Sequence, residues 1–461
     1  MRSFTGMVRL LCVAWLLGPL SASPAAFRPG SVQRTLPPLN KLPFLTVWNA
    51  PTASCSSRYG VDLDLSVFDI VANHDQVFMG PNITIFYEKQ LGLYPYITPQ
   101  GEAIYGGIPQ NSSLKDHMWQ ADTDLRNYMH DRLFHGLAII DWERWRPVWD
   151  RNWDSKSIYW DASRALVKGR HPDWDPEQVE REARAQFESA ARAFMEDTLK
   201  MVTRERPGGL WGFYGFPCCY NNGYKNLTTN YTGECPPLAV SRNDGLFWLW
   251  NASTALYPEI YLELWLRGRD REVLLYSRHS VLEAMRVREK VTPIPPPVVP
   301  YARITYTYSL DFLSEEDLIH TIGESAALGS AGVVLWGDGT YAASKTSCNT
   351  VKAYVDEVLG HYVVNVTTAA YMCSQNLCHG NGRCQRRDPT SGAYLHLDPS
   401  AWSIIPRSQR AAGTRTQGPA FRAQRKPGPS QDKATQAQLL PFKCQCFPEW
   451  TGEHCSIKWM T

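Results

Sequence analysis

Two carboxylic acids, Asp141 and Glu143, stand two residues apart where the apolar run Gly136-Leu137-Ala138-Ile139-Ile140 gives way to Asp141-Trp142-Glu143-Arg144-Trp145. In extended backbone alternate side chains share a face, so the two acids point the same way and Trp142 points the other. Carboxyls held that close do not ionise independently. Their repulsion and the shelter of neighbouring tryptophans raise at least one pKa and keep a protonated acid near or below neutral pH. Such an acid can protonate a glycosidic oxygen. Trp142, Trp145, Trp149 and Trp153 follow closely; clustered aromatics suit a groove that stacks on sugar faces, and they equally suit a core. An isolated Asp-x-Glu is common in loops that face water, so its surroundings must carry the argument.

A strand tip needs a sheet behind it. Short apolar runs alternate with longer helical or loop segments between Leu45 and about Thr367, as a parallel barrel requires. Strands are expected over Leu45 to Trp48, Ile83 to Tyr87, Leu137 to Ile140, Leu210 to Tyr214, Ile260 to Leu262, Val298 to Tyr306 and Gly332 to Trp336. The clearest helix starts at Asp175 as N-cap with Pro176 behind it. Val179, Ala183, Phe187, Ala190, Ala191, Phe194 and Leu199 form its apolar stripe. Phosphate-binding glycine loops, a His-Glu-x-x-His zinc motif and a Gly-x-Ser-x-Gly elbow are all missing from the sequence, which leaves nucleotide, metal and serine-nucleophile chemistry without support. No cofactor or metal is expected.

The chain has 461 residues and a formal charge of +2, which suits one large barrel with an appendage and gives no reason to expect nucleic acid as a partner. Residues 1–23 read as a secretory signal: Arg2, an apolar stretch from Met7 to Leu20, then Ser21, Ala22 and Ser23. No later segment reads as a membrane span or lipid-anchor signal, so a product of the secretory pathway, secreted or lysosomal and without a stable membrane anchor, is expected. Sequons at Asn82, Asn111, Asn226, Asn230, Asn251 and Asn365 agree with that compartment. Of the 12 cysteines, Cys12 lies in the signal, so an odd number remains and one is left over. Six crowd the end as C-x4-C-x5-C, a long gap, then C-x-C-x8-C. Their pattern looks like an epidermal-growth-factor-like module. Inside that module, residues 407–436 are rich in Arg, Gln, Ser, Gly and Pro and read as a basic, flexible insert.

Several motifs then coincide: Asn82-Ile83-Thr84-Ile85-Phe86-Tyr87, Leu91-Gly92-Leu93-Tyr94-Pro95, Gly107-Ile108-Pro109-Gln110-Asn111, Leu137 to Trp149, Leu210 to Pro217, Leu256-Tyr257-Pro258, Ile322 to Leu328 and Gly332 to Trp336. In this ordered set the chain resembles the animal hyaluronidases, particularly the soluble lysosomal and plasma-type vertebrate members. The resemblance implies an α/β fold, a distorted (β/α) TIM-like barrel over residues 24–368, with a small disulfide-rich EGF-like domain over 369–461. It implies a monomeric endo-β-N-acetylhexosaminidase that cuts the β-1,4 linkages of hyaluronan, and of chondroitin more slowly, with retention. Glu143 would be the proton donor, and the substrate's own acetamido group the nucleophile, with Asp141 orienting it. Tyr214, Tyr261 and Trp336 match the family's acetamido pocket, and Tyr87 and Arg146 match further groove positions. The family pairing would join Cys55 to Cys348, Cys219 to Cys235, Cys373 to Cys384, Cys378 to Cys444 and Cys446 to Cys455, leaving Cys218.

Three departures stand out. The family's acid in Pro-Asp-Cys is replaced in Pro217-Cys218-Cys219; Ser280 stands where relatives have an Arg, with Arg278 and His279 adjacent as substitutes; and Glu259 replaces a usual Ser. Intact Asp141, Glu143, Tyr214, Tyr261 and Trp336 favour an enzyme. Cys218, Glu259 and Ser280 favour a weakly active or non-catalytic glycosaminoglycan-binding relative. A chondroitin-preferring hydrolase is the other alternative, against which Tyr261 argues.

Overall fold

A computed structural model describes residues 42–71, 78–226, 230–406, 421–427 and 438–459. The expected signal, residues 1–23, lies outside them. The fold is mixed α/β, with helices between parallel strands. Four strands, β1 (Leu45–Asn49), β2 (Ile70–Val71), β8 (Tyr301–Ala302) and β9 (Gly332–Trp336), form a parallel sheet in the order β2-β1-β9-β8. Three more, β3 (Ile83–Tyr87), β6 (Leu137–Asp141) and β7 (Leu210–Phe213), form a second parallel sheet in that order. The small hairpin β4 (Tyr96–Ile97) and β5 (Ala103–Ile104) interrupts the crossover from β3 to β6.

These strands are apolar on both faces because both faces are covered, as parallel sheets demand. Val47, Ile85, Ile139, Leu210, Tyr301 and Val334 turn one way into a single buried cluster. Trp48, Phe86, Ile140, Trp211 and Leu335 turn the other way, toward the helices. The helix Pro176–Glu205 has the expected start: the Asp175 carboxylate accepts the Gln178 N–H at 2.8 Å while Gln178 accepts the Asp175 N–H at 3.0 Å. Val179, Ala183, Phe187, Ala191, Phe194 and Leu199 are buried along it, and Ala190 is half-buried.

The expected strand Ile260 to Leu262 does not form. The chain between the two sheets is instead tied at Leu256, Tyr257 and Glu259, which make single parallel bridges to Val298, Tyr214 and Tyr301. Pro258 has no N–H to donate, so a regular ladder cannot run through it. For the same reason the expected strand Val298 to Tyr306 shrinks to Tyr301–Ala302, with Pro297 and Pro300 upstream. The bridging segment also lies close against β7: a Cβ on Gly212 would overlap the Ala255 carbonyl oxygen.

Beyond β9, the helix Gly360–Cys378 runs through the expected boundary at 368/369. The antiparallel pair β10 (Gly382–Arg386) with β13 (Phe442–Cys446) follows, and short β14 (Trp450–Thr451) pairs with β15 (Ile457–Lys458). Five disulfides join Cys55–Cys348, Cys219–Cys235, Cys373–Cys384, Cys378–Cys444 and Cys446–Cys455, the pairs the resemblance implies, and Cys218 has a free thiol. The basic insert needs correction in part. Phe421–Arg425 is a strand, β12, antiparallel to β11 (Trp402–Pro406), because Phe421 is buried against the His361 ring at 4.3 Å and anchors it. The remainder of 407–436 lies outside the described residues. Asn82, Asn111, Asn226, Asn230 and Asn251 are exposed; Asn365 is half-buried and its side-chain oxygen accepts the Leu397 N–H at 2.7 Å. Among the described residues no helix is long and apolar enough to cross a membrane.

A buried ionic cluster holds this last part. Glu324, fully buried, accepts from Arg278 at 2.7 Å and pairs with the equally buried Arg386, while Arg278 also donates to the Thr390 and Ser391 carbonyls at 2.8 and 3.2 Å. Removing Glu324 leaves two buried guanidinium groups without their counter-charge. Glu324→Ala should therefore lower unfolding stability by about 3–5 kcal/mol, measured by denaturant titration; a loss under about 1 kcal/mol would mean that solvent reaches the cluster.

Candidate active site

Parallel strands all finish at one edge of their sheet, and here that edge collects the reactive side chains. In β3 and β6 the terminal residues Tyr87 and Asp141 are register partners, and in β1 and β9 so are Asn49 and Trp336. Tyr214 follows the last residue of β7.

Asp141 and Glu143 differ in exposure. Trp142 between them turns into the core and stacks on Tyr94 at 4.7 Å, so the acids face away from it. Burial first, and the Glu143 charge second, push Asp141 up to about 7 against the opposing pull of Arg146. The expected raised acid is therefore Asp141, whose buried Oδ1 has no hydrogen-bond partner. Glu143 keeps a half-exposed side chain, 52% accessible, with an Arg146 guanidinium nitrogen 3.6 Å away. Its carbonyl accepts from Lys156 at 2.7 Å, which fixes the turn behind it.

Aromatics wall the opposite side. Tyr261 stacks on Trp336 at 6.2 Å, Tyr214 lies 6.1 Å from Tyr261, and Tyr301 meets the Tyr214 ring edge-on at 5.2 Å. Burial and the charges of Asp141 and Glu143 push Tyr87 up to about 12, and burial pushes Tyr214 and Tyr261 well above the usual phenol range. All three stay neutral hydroxyls. The seven residues singled out from sequence thus lie along one edge. The tryptophan run does not wall it: Trp142, Trp145 and Trp149 are core, their indoles packing on Tyr94 and Phe187, and Trp153 alone is exposed.

Three contributors were not assigned to the site from sequence, and a fourth, Glu259, was read there only as a departure from the family. Asn49 carries a buried amide whose oxygen and nitrogen both lack partners. Arg303 lies 5.0 Å from the Trp336 ring and pairs with Asp338 at 2.8 Å. Tyr301 supports Tyr214. Glu259 accepts the Tyr214 hydroxyl hydrogen. Polar residues closing apolar strands, as in Leu45-Thr46-Val47-Trp48-Asn49, are the signal that marks Asn49. Arg278 cannot take the place of a groove cation near Ser280: neighbours two apart on a helix diverge by about 200°, and Glu324 consumes Arg278. Ser280 itself is buried and donates to the Tyr276 carbonyl at 2.8 Å, and burial lowers the His279 pKa. Burial pushes the Cys218 thiol up, with Arg146 opposing. Among the described residues no cluster of three or more His, Cys, Asp or Glu could hold a metal ion.

The hyaluronidase family profile, glycoside hydrolase family 56, matches residues 33–459. Human hyaluronidase-1 is 47% identical over 430 residues, covering 92% of this chain and 94% of that protein. A hyaluronidase of the rattlesnake Crotalus adamanteus is 43% identical over 418 residues, covering 90% of each. Among solved structures, bee venom hyaluronidase in complex with a hyaluronic acid tetramer aligns with a TM-score of 0.60 at 32% identity, covering 69% of this chain and 98% of that one. With its acid pair, aromatic wall and near full-length match, this chain belongs to the hyaluronidase family of glycoside hydrolases.

Proposed function

We propose that the protein hydrolyses hyaluronan internally at its β-1,4 N-acetylhexosaminide bonds, and chondroitin more slowly, with retention at the anomeric carbon. The observation that carries this reading is the split acid pair, Asp141 raised to about 7 beside a half-exposed Glu143. Glu143 gives its proton to the leaving oxygen as the glycosidic bond breaks. The acetamido carbonyl oxygen of the same sugar forms the new bond to the anomeric carbon, giving an oxazolinium-like intermediate. Water then attacks that carbon, passing its proton to the Glu143 carboxylate, and the ring opens with net retention. Asp141 holds the acetamido nitrogen, and Tyr214, Tyr261 and Trp336 form the pocket around the group. Tyr87 and Arg146 hold neighbouring sugars.

The single inner cluster fed by strands of both sheets supports a distorted (β/α) barrel over residues 24–368. The three disulfides and the β10–β13 pair support an EGF-like module over 369–461. Disulfides and sequons support a secreted or lysosomal destination. A second reading, a weakly active glycan-binding relative, draws support from Glu259, which occupies the Tyr214 hydroxyl.

Glu143→Gln should lower turnover on hyaluronan by about 10²- to 10⁴-fold in a reducing-end assay while leaving folding intact. Retention of more than roughly a tenth of the activity would end the assignment of this acid. Hyaluronan stripped of its N-acetyl groups should bind and resist cleavage; its rapid cleavage would point to a protein nucleophile.

The buried acid also has a signature in stability. Asp141 binds a proton more tightly folded than unfolded, so its cost is absent below the ordinary carboxylate range near pH 4 and is fully present above about pH 7. Asp141→Asn should therefore melt with the wild type near pH 4 and above it near pH 8, by an amount on the order of 2–4 kcal/mol. Parallel melting curves across that range would show Asp141 to be solvated.

A further inference from the structure

Glu259 has no part in the mechanism above, yet it lies inside the site. It sits in the bridging segment between the two sheets, its backbone in parallel register with Tyr301. Its carboxylate accepts the Tyr214 hydroxyl hydrogen. A phenol has one hydrogen to donate, so while Glu259 holds it, Tyr214 cannot donate to an acetamido oxygen.

The surroundings of Glu259 are mostly neutral or acidic. Asp141 and Glu143 face it from the end of β6, with Arg146 as the opposing cation. Tyr214 and Cys218 face it from the run after β7, and Tyr224 from the turn Asn222–Lys225. Tyr276 reaches it from the helix Asp270–Glu289, and Tyr261 and Glu263 from its own segment. The tyrosines are held neutral by burial, as is the thiol. Charge change near Glu259 below neutral pH therefore comes from carboxyls alone.

The geometry points to Glu259 as a positioning residue that decides when Tyr214 serves the N-acetyl group of the substrate: ionised, it keeps the hydroxyl hydrogen; protonated, it gives that hydrogen up. This rests on the assignment of Tyr214 to the acetamido pocket. Burial and the neighbouring Glu143 charge raise the Glu259 pKa against the pull of Tyr214 and Arg146, so on acidification release begins at a higher pH than it would for an ordinary exposed carboxyl. As pH falls through that titration, Tyr214 becomes available and binding of N-acetylated oligosaccharides tightens. The substrate class is unchanged, and what Glu259 adds is a bias toward acidic conditions.

The test compares kcat/KM on hyaluronan oligosaccharides, and their affinity by calorimetry, near pH 4 and near pH 7. Hydrogen bonds to charged groups are strong enough that the acid-to-neutral ratio should be about tenfold larger in the wild type than in Glu259→Gln, which mimics the protonated acid at every pH. In a Tyr214→Phe background the same substitution should change the ratio by less than about twofold, because the shared hydroxyl is gone. A purely structural Glu259 would instead lower activity at both pH values and leave the ratio alone. Equal ratios in wild type and Glu259→Gln, or an undiminished effect in the Tyr214→Phe background, overturn the proposal. If Glu259→Gln does not fold, Tyr214→Phe by itself must reduce the ratio, and an unchanged ratio overturns it equally. A wild-type protein that cuts no hyaluronan at any pH sinks the functional reading instead, and the affinity ratios in the same variants then decide the role of Glu259.

Discussion

The whole site hangs on strand register. Because β3 and β6 are parallel and pair Tyr87 with Asp141, and β1 and β9 pair Asn49 with Trp336, four functional side chains leave the sheets at one edge without any loop having to aim them. A slip of one residue would exchange the inner and outer faces, sending the Ile85 and Ile139 side chains toward the helices and Trp48 and Phe86 toward the interior. Register is held because both faces are buried. The ladder that carries Asp141 is therefore specified by the core and not by the chemistry at its tip.

Placing acids at that tip costs stability. Asp141 sits where burial opposes its charge, and Glu259 and Tyr214 share a sheltered hydrogen bond beside it. Sites that need shifted acids retain such conflicts, since the low dielectric that destabilises a charge also strengthens its effect on a reacting bond. The protein offsets the cost elsewhere, with apolar burial on both faces of the strands and with a disulfide, Cys55–Cys348, that ties residues 293 positions apart.

A different use of charge anchors the C-terminal segment. Glu324 with Arg278 and Arg386 is buried, and it joins the helix Asp270–Glu289 to β10. In sequence Arg278 looks as available for substrate as Arg146. Burial separates them: Arg146 reaches an edge shared with Glu143, and Arg278 is enclosed by carbonyls and a carboxylate.

Local sequence sufficed wherever a short-range rule governs the outcome. The N-cap at Asp175 and the apolar runs of β3, β6 and β9 were legible because each depends on residues within a few positions. Family motifs added Tyr214, Tyr261 and Trp336, which share no local pattern. Tertiary structure alone decided the rest. Prolines at 258, 297 and 300 replaced one expected strand by isolated bridges and shortened another to Tyr301–Ala302, and packing put Trp142, Trp145 and Trp149 in the core although their spacing suited a groove. Asn49, Arg303 and the hold of Glu259 on Tyr214 depend on segments far apart in the chain meeting at one edge. Composition and periodicity report which face a residue occupies; which distant partner waits there is set by the packing of the whole chain.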